Sequence, residues 1–225
     1  MKTTNAAVLW TGGKDSCLAL YEAHLIGYQL KYLITLAPAN PKFLAHPIPV
    51  MKLQSEALGI PHLVLEITQP YKESYLNAFR MLKDNYSIDT LITGDVDEVD
   101  GHSNIVKEYA DETGLEVFFP LWKKDRQEIM NKFFEYNFQW LFSLVKQPHF
   151  TNPWVGRTFT KDAYDDLLFL KEKSGIDICG ENGEYHSLVL DAPLFERRIR
   201  IDKFSKLEKD GMMYMKIEEV GLQNK

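Results

Sequence analysis

The chain has 225 residues, 45% of them apolar, and a formal net charge of −6, enough for a full hydrophobic core in one large domain or two small ones. The acidic balance and the lack of a basic tract disfavour direct nucleic-acid binding, and no apolar run is long enough to cross a bilayer. Cys17 and Cys179 lie far apart, form no C-x-x-C pair and are too few for a zinc site, which fits a reduced protein, with one disulfide left open. Residues 1–10 lack a signal pattern, so the cytoplasm is the expected location.

In chain order, the apolar run 6–10 reads as a buried strand and 17–26 as a helix. Residues 30–36, rich in branched and aromatic side chains, predict a second strand. The proline-bearing stretch 38–49 cannot be regular throughout, and 51–58 reads as a helix stopped by Gly59. A strand at 62–67, a helix at 71–85 and a strand at 89–93 follow. Next come a helix at 103–113 ended by Gly114 and a short strand at 116–119. This alternation predicts an α/β, Rossmann-like parallel sheet with helices on both faces and a site at the strands' C-terminal ends.

Beyond residue 120 the pattern changes. Residues 126–136 read as a helix, 139–145 as a buried strand and 161–173 as a helix closed by Gly175. Three strands are expected at 185–190, 197–204 and 213–220. The chain therefore divides into an expected α/β domain, 1–120, and a smaller α+β domain, 121–225. The aromatic run 133–142 is expected to be core, not an interface. A homo-oligomer stays open.

The organising motif is Thr11-Gly12-Gly13-Lys14-Asp15-Ser16. Strand, glycine turn and helix N-terminus make an anion site, because glycine lets the backbone approach closely and the first helical N–H groups remain to donate. Lys14 adds a point charge, and Thr11 and Ser16 add hydroxyls. Asp15 carries the wrong sign for phosphate and suits a helix cap or Mg²⁺. A Walker loop needs four residues between its first glycine and the Gly-Lys pair, so this is another kind of phosphate loop. Gly94 and Asp95 end the fourth strand on the same rim. There Asp95 would hold Mg²⁺, meet a ribose hydroxyl or cap the following segment. The acidic run Asp95-Val96-Asp97-Glu98-Val99-Asp100-Gly101 fails as an EF-hand, with Asp100 at the sixth place and Val106 at the twelfth. Near the C-terminal strands, Cys179-Gly180-Glu181-Asn182-Gly183-Glu184-Tyr185-His186-Ser187 concentrates carboxylates and an imidazole. Cys17, first after the loop, reads as packing.

The loop resembles the PP-loop of the ATP pyrophosphatases (adenine nucleotide alpha hydrolase-like), which cleave ATP to AMP and pyrophosphate. Leu-Ile-Thr-Gly-Asp (91–95), Phe-Pro-Leu-Trp (119–122), Trp-Val-Gly-Arg (154–157), Gly-Glu-Asn-Gly-Glu-Tyr-His-Ser (180–187) and Leu-Asp-Ala-Pro-Leu-Phe (190–195) follow in the order of one PP-loop family. The chain thus resembles the diphthine–ammonia ligase, or diphthamide synthase, family from about residue 8 to 195. The resemblance implies an ATP- and Mg²⁺-dependent ligase that adenylates a carboxylate and amidates it with free ammonia. The family's acceptor is diphthine, a modified histidine on a translation elongation factor. In site roles it implies Thr11, Gly12, Gly13, Lys14, Asp15, Ser16 and Gly94 on the nucleotide and Asp15 and Asp95 on metal. Lys14, Asp15, Asp95, Glu181 and Glu184 fall to catalysis, and His46, Arg157, Gly183, Glu184, His186 and Ser187 to the acceptor.

This chain departs from the family pattern at Asn182, where glycine is usual, and at Ser187, where threonine is. It reads Phe43-Leu44-Ala45-His46 for a Met-Phe-His-like motif and Asp100-Gly101-His102-Ser103-Asn104 where arginines are frequent. These departures resemble the bacterial branch and leave the acceptor open. The readings are therefore a ligase on diphthine, a PP-loop ATP pyrophosphatase with another acceptor, and a non-catalytic ATP or AMP sensor.

Overall fold

A computed structural model describes residues 4–98 and 104–225. Its elements begin β1 (Asn5–Leu9), α1 (Lys14–Leu25), β2 (Gln29–Ala37), α2 (Ile48–Leu58), β3 (His62–Glu66), α3 (Tyr71–Tyr86), β4 (Thr90–Ile92), α4 (Ile105–Thr113) and β5 (Glu116–Phe118). They continue with α5 (Arg126–Glu135), β6 (Gln139–Lys146), a 3₁₀ turn (Asn152–Trp154), α6 (Lys161–Ser174), β7 (Tyr185–Asp191), β8 (Arg197–Lys209) and β9 (Met212–Asn224). Two compact units result. The first comprises Met1–Thr11, Asp15–Lys42 and Ile60–Lys123, and the second Gly12–Lys14, Phe43–Gly59 and Lys124–Lys225.

In the first unit, β3-β2-β1-β4-β5 form a parallel sheet, as the alternation predicts. Side chains alternate across it. Ala7, Ile34 and Leu91 join Phe79, Leu82, Ala110 and Leu115 in one apolar cluster that α3 and α4 complete. Ala6, Val8, Leu33 and Ile92 point the other way and are as fully buried. Right-handed crossover places α1, with its buried Leu18, Ala19 and Ala23, on that second face. Each large apolar side chain so buried contributes about 1.5–3 kcal/mol. The strand order reverses direction between β1 and β4, and in open sheets that switch point is where ligands bind, beyond the strands' carboxyl ends.

In the second unit, β7-β6-β9-β8 form an antiparallel sheet. Phe133, Phe138, Trp140 and Phe142 are buried in it, so the aromatic run 133–142 is core, with Phe134 at its border. Trp140 stacks on Phe159 with centroids 4.3 Å apart. The helix α2 belongs to this unit, where Glu196 donates its N–H to the Ala57 carbonyl at 2.6 Å and Arg197 pairs with Glu56. It begins earlier than 51 because Pro49 falls in its first turn, where a missing N–H costs nothing.

The strands β8 and β9 run 13 residues each, well beyond the expected 197–204 and 213–220. Asp210 and Gly211, at φ 52° and 74°, join them in a two-residue turn whose twist matches the strands. No helix among the described residues is long and apolar enough to cross a membrane. Both cysteines are buried, reduced thiols.

Candidate active site

In the first unit, Thr11 follows β1, Asp15 lies in the first turn of α1, and Gly94 and Asp95 follow β4. All four therefore stand at the β1/β4 switch point. The Thr11 and Ser16 hydroxyls hydrogen-bond at 3.2 Å. Gly94 lies against the Asp15–Ser16 peptide so closely that a Cβ would sit 2.5 Å from the Asp15 carbonyl carbon. Glycine is required there because backbone, not a movable side chain, fills the space.

Asp95 donates its N–H to Thr93 Oγ1 at 3.3 Å, and its Oδ2 accepts from Asn104 Nδ2 at 2.6 Å. Asn104, not Asp95, caps α4, with Oδ1 accepting the Lys107 N–H. Among the described residues no cluster of three or more His, Cys, Asp and Glu could hold a metal. Two carboxylates alone match Mg²⁺, which takes one or two carboxylates and fills its remaining positions with water and phosphate. Residues 99–103, with most of the Asp100-to-Asn104 departure, the end of the acidic run and the expected helix start at 103, lie outside the described residues.

In the second unit, Gly12 has φ 77°, and a Cβ there would run into Gln54 Oε1. Gln54, fully buried on α2, donates Nε2 to the carbonyls of Gly12 at 3.0 Å and Val189 at 2.8 Å. The Val189 N–H returns to the Gly12 carbonyl at 3.0 Å. Lys14 is 1% exposed. It donates its backbone N–H to Ser187 Oγ at 3.0 Å and its ammonium to the Cys179 carbonyl at 2.6 Å, with the Tyr185 ring 5.4 Å away.

The 180–187 motif is largely self-supporting. Glu184, 6% exposed, accepts from the Asp177 N–H, the Asn182 N–H and Asn182 Nδ2 at 2.8–3.1 Å. Asn182 thus has its own use, a side-chain donor to that carboxylate. Asp177 accepts the Cys179 N–H and pairs with Arg126 at 2.8 Å, so the residue whose carbonyl grips Lys14 is held in turn. Gly183 takes a left-handed turn, and Glu181 is half-buried beside it. His186 is exposed and meets His46 across 3.4 Å, Nδ1 to Nε2. Burial, with the neighbouring His186 and Lys14 charges, pushes the His46 pKa down to about 3. Arg157 stacks on Trp154 and pairs with Asp166 at 2.7 Å.

The structure therefore gathers Gly12, Lys14, His46, His186 and Ser187 in one unit and Thr11, Asp15, Ser16, Gly94 and Asp95 in the other. Arg157 is engaged elsewhere in the second unit. Three residues that support these groups escaped the sequence reading: Gln54, Asn104 and Asp177. Gln54 had a signal, since it is the polar residue on a helix face whose other members, Val50, Met51, Ala57 and Leu58, are apolar.

With that geometry in place, the family relationships are clear. The diphthamide synthase N-terminal domain matches residues 3–117 and the diphthamide synthase C-terminal domain residues 125–222. A diphthine–ammonia ligase of Schizosaccharomyces pombe is 25% identical over 93% of this chain and 38% of its own length. The chain thus spans well under half of that relative. The diphthine–ammonia ligase of Homo sapiens is 23% identical over 87% of this chain and 82% of its own. A solved chain from Methanocaldococcus jannaschii, described as a predicted subunit of tRNA methyltransferase, matches over 84% of this chain and 98% of its own at 19% identity and a TM-score of 0.47. One N-terminal domain over more than half the sequence and its C-terminal companion directly after it leave a single assignment: the chain belongs to the diphthamide synthase family.

Proposed function

We propose that the protein is an ATP-dependent, AMP-forming carbon–nitrogen ligase that amidates a carboxylate with ammonia, as its diphthine–ammonia ligase relatives are named for doing. The observation that carries this reading is the pair of family domains in order, with the glycine loop inside the first. In the reaction a carboxylate oxygen attacks the α-phosphorus of ATP and pyrophosphate leaves. Ammonia then adds to the acyl carbon, AMP leaves, and one proton is released. No covalent protein intermediate is needed, so catalysis rests on positioning and electrostatics.

The N–H groups of Gly12 and Gly13 and the hydroxyls of Thr11 and Ser16 would take phosphate oxygens, with the Gly94 backbone alongside. Lys14 would contribute a fixed positive charge. Asp15 and Asp95 would hold Mg²⁺, which when bound offsets the charge of the departing pyrophosphate. Asn104 fixes one oxygen of Asp95 and so orients the other. Glu184 acts by shaping the 180–187 turn, leaving Glu181, Gly183 and His186 to meet the acceptor. Ser187 acts through Lys14, and Arg157 is an outer anion contact.

The acceptor we propose is diphthine on a translation elongation factor, in the cytoplasm. The protein is incubated with α-labelled ATP, Mg²⁺, ammonium and elongation factor bearing diphthine. AMP and an amidated factor, both dependent on acceptor, support the ligase. AMP with another carboxylate only moves the acceptor assignment, whereas ADP or binding without turnover overturns the reading.

A further inference from the structure

His46 and His186, 140 positions apart, meet edge to face with ring planes at 87° and centroids 5.3 Å apart. One hydrogen bond joins His46 Nε2 and His186 Nδ1 at 3.4 Å, so one proton lies between them. His46 Nδ1 is buried and has no hydrogen-bond partner among the described residues. That asymmetry decides which ring donates.

If His186 donated from Nδ1, neutral His46 would carry its own proton on Nδ1, a buried N–H with no acceptor. Orphaned buried donors are rare and costly. The Lys14 charge acts on His46 too and disfavours an added proton there. If His46 donates from Nε2, its Nδ1 keeps only a lone pair and no buried donor is left orphaned. His186 then accepts at Nδ1 and, while neutral, carries its proton on Nε2. A second proton on His186 would meet the His46 N–H head on. It could enter only if His46 moved its own proton to the buried side. The groups acting on His46 are His186 and Lys14, and both favour the neutral ring.

We propose that His46 is a positioning residue that locks His186 in the Nε2-protonated tautomer, so that exposed His186 meets its ligand as a neutral N–H donor, neither a base nor an imidazolium. In the chemistry it serves, the inference rests on the ligase reading. When ammonia adds to the acyl adenylate, the carbonyl π pair moves onto oxygen, and that oxyanion accepts from His186 Nε2–H. As the C–O bond to AMP breaks, the pair returns, and the surplus proton of the nitrogen goes to solvent.

The tautomers are read by long-range ¹H–¹⁵N correlation of the imidazoles in the full chain near neutral pH. The proposal expects both rings protonated at Nε2 and unprotonated at Nδ1, with His186 titrating lower than it does once His46 is removed. His46→Ala should raise the His186 titration. His46→Gln, which keeps an amide donor near the Nε2 position, should preserve the depression. An Nδ1 proton on His186, or His46→Gln behaving like His46→Ala, overturns the lock. In acceptor-dependent AMP release His186→Ala should lose about a hundredfold and His46→Ala roughly tenfold. Unchanged release in His186→Ala overturns the donor role. The spectroscopy needs no turnover, so a chain that makes no AMP counts against the ligase reading and leaves the tautomer to be judged alone.

Discussion

Lys14 and Asp15 are neighbours in sequence with opposite surroundings. Lys14 lies buried, its backbone and ammonium fixed by Ser187 and Cys179. Ahead of it the Gly12 carbonyl takes bonds from Gln54 and Val189. Asp15 is half-buried in the first turn of α1, and Asp95, near it on the same unit, is half-buried and accepts a side-chain bond from Asn104. The cationic part of the loop is thus set by a satisfied interior network, and the carboxylates keep solvent access. Fixed donors stabilise developing negative charge without reorganisation, while Mg²⁺ keeps several waters and needs ligands that water can reach.

The contrast is best broken at Gly12. Gly12→Ala forces a Cβ into Gln54 at a positive φ, and it should destabilise the chain by about 2–4 kcal/mol and abolish nucleotide binding. Denaturant unfolding and ATP calorimetry read both. On the carboxylate side, Asp95→Asn should lose roughly a hundredfold or more in AMP formation with little change in melting temperature. A large melting shift there would mean that Asp95 is structural after all.

Glu184→Ala should cost about 1–2 kcal/mol, because the part-buried hydrogen bonds from the Asp177 and Asn182 N–H groups lose their acceptor. Its effect on turnover should follow that on the 180–187 turn, so Glu184→Gln, which keeps one carbonyl oxygen, should recover part of both. His46 sharpens the acid limb. Its folded pKa is about 3, below the ordinary imidazole value. The unfolded chain therefore binds the extra proton first, and stability is full above about 6.5 and lost as pH falls toward 3. A His46→Gln variant should flatten that limb in pH-dependent unfolding. Least affected should be Arg157→Ala, at about 0–1 kcal/mol and near-normal AMP release, since its ion pair with Asp166 is partly solvated.

The parallel sheet was legible because its strands are continuous apolar runs separated by helices of clear period and glycine stops. The glycine loop was legible because its glycines and hydroxyls have few other uses at that spacing. Periodicity could show a helix at 51–58, yet it carries no address for what that helix packs on. Gln54 therefore surfaced only in three dimensions. The same holds for Lys14, whose Cys179 partner is 165 positions away. Glu181 and Glu184 look alike in sequence, but only burial separates the carboxylate that shapes the turn from the half-buried one. The β8–β9 hairpin was under-read for another reason: Asp210-Gly211 is a strong hairpin signal, and the patchy alternation of 213–220 obscured it.

The contacts made by Val189 also bear on the order of events at the ribosome. A nascent chain that has emerged through β5 already displays every residue of the phosphate loop and Gln54, but Cys179, Ser187 and Val189, which complete the seating of Gly12 and Lys14, have not yet emerged. On the ligase reading, the loop is therefore completed for nucleotide late in translation, after the β7 segment has cleared the ribosome.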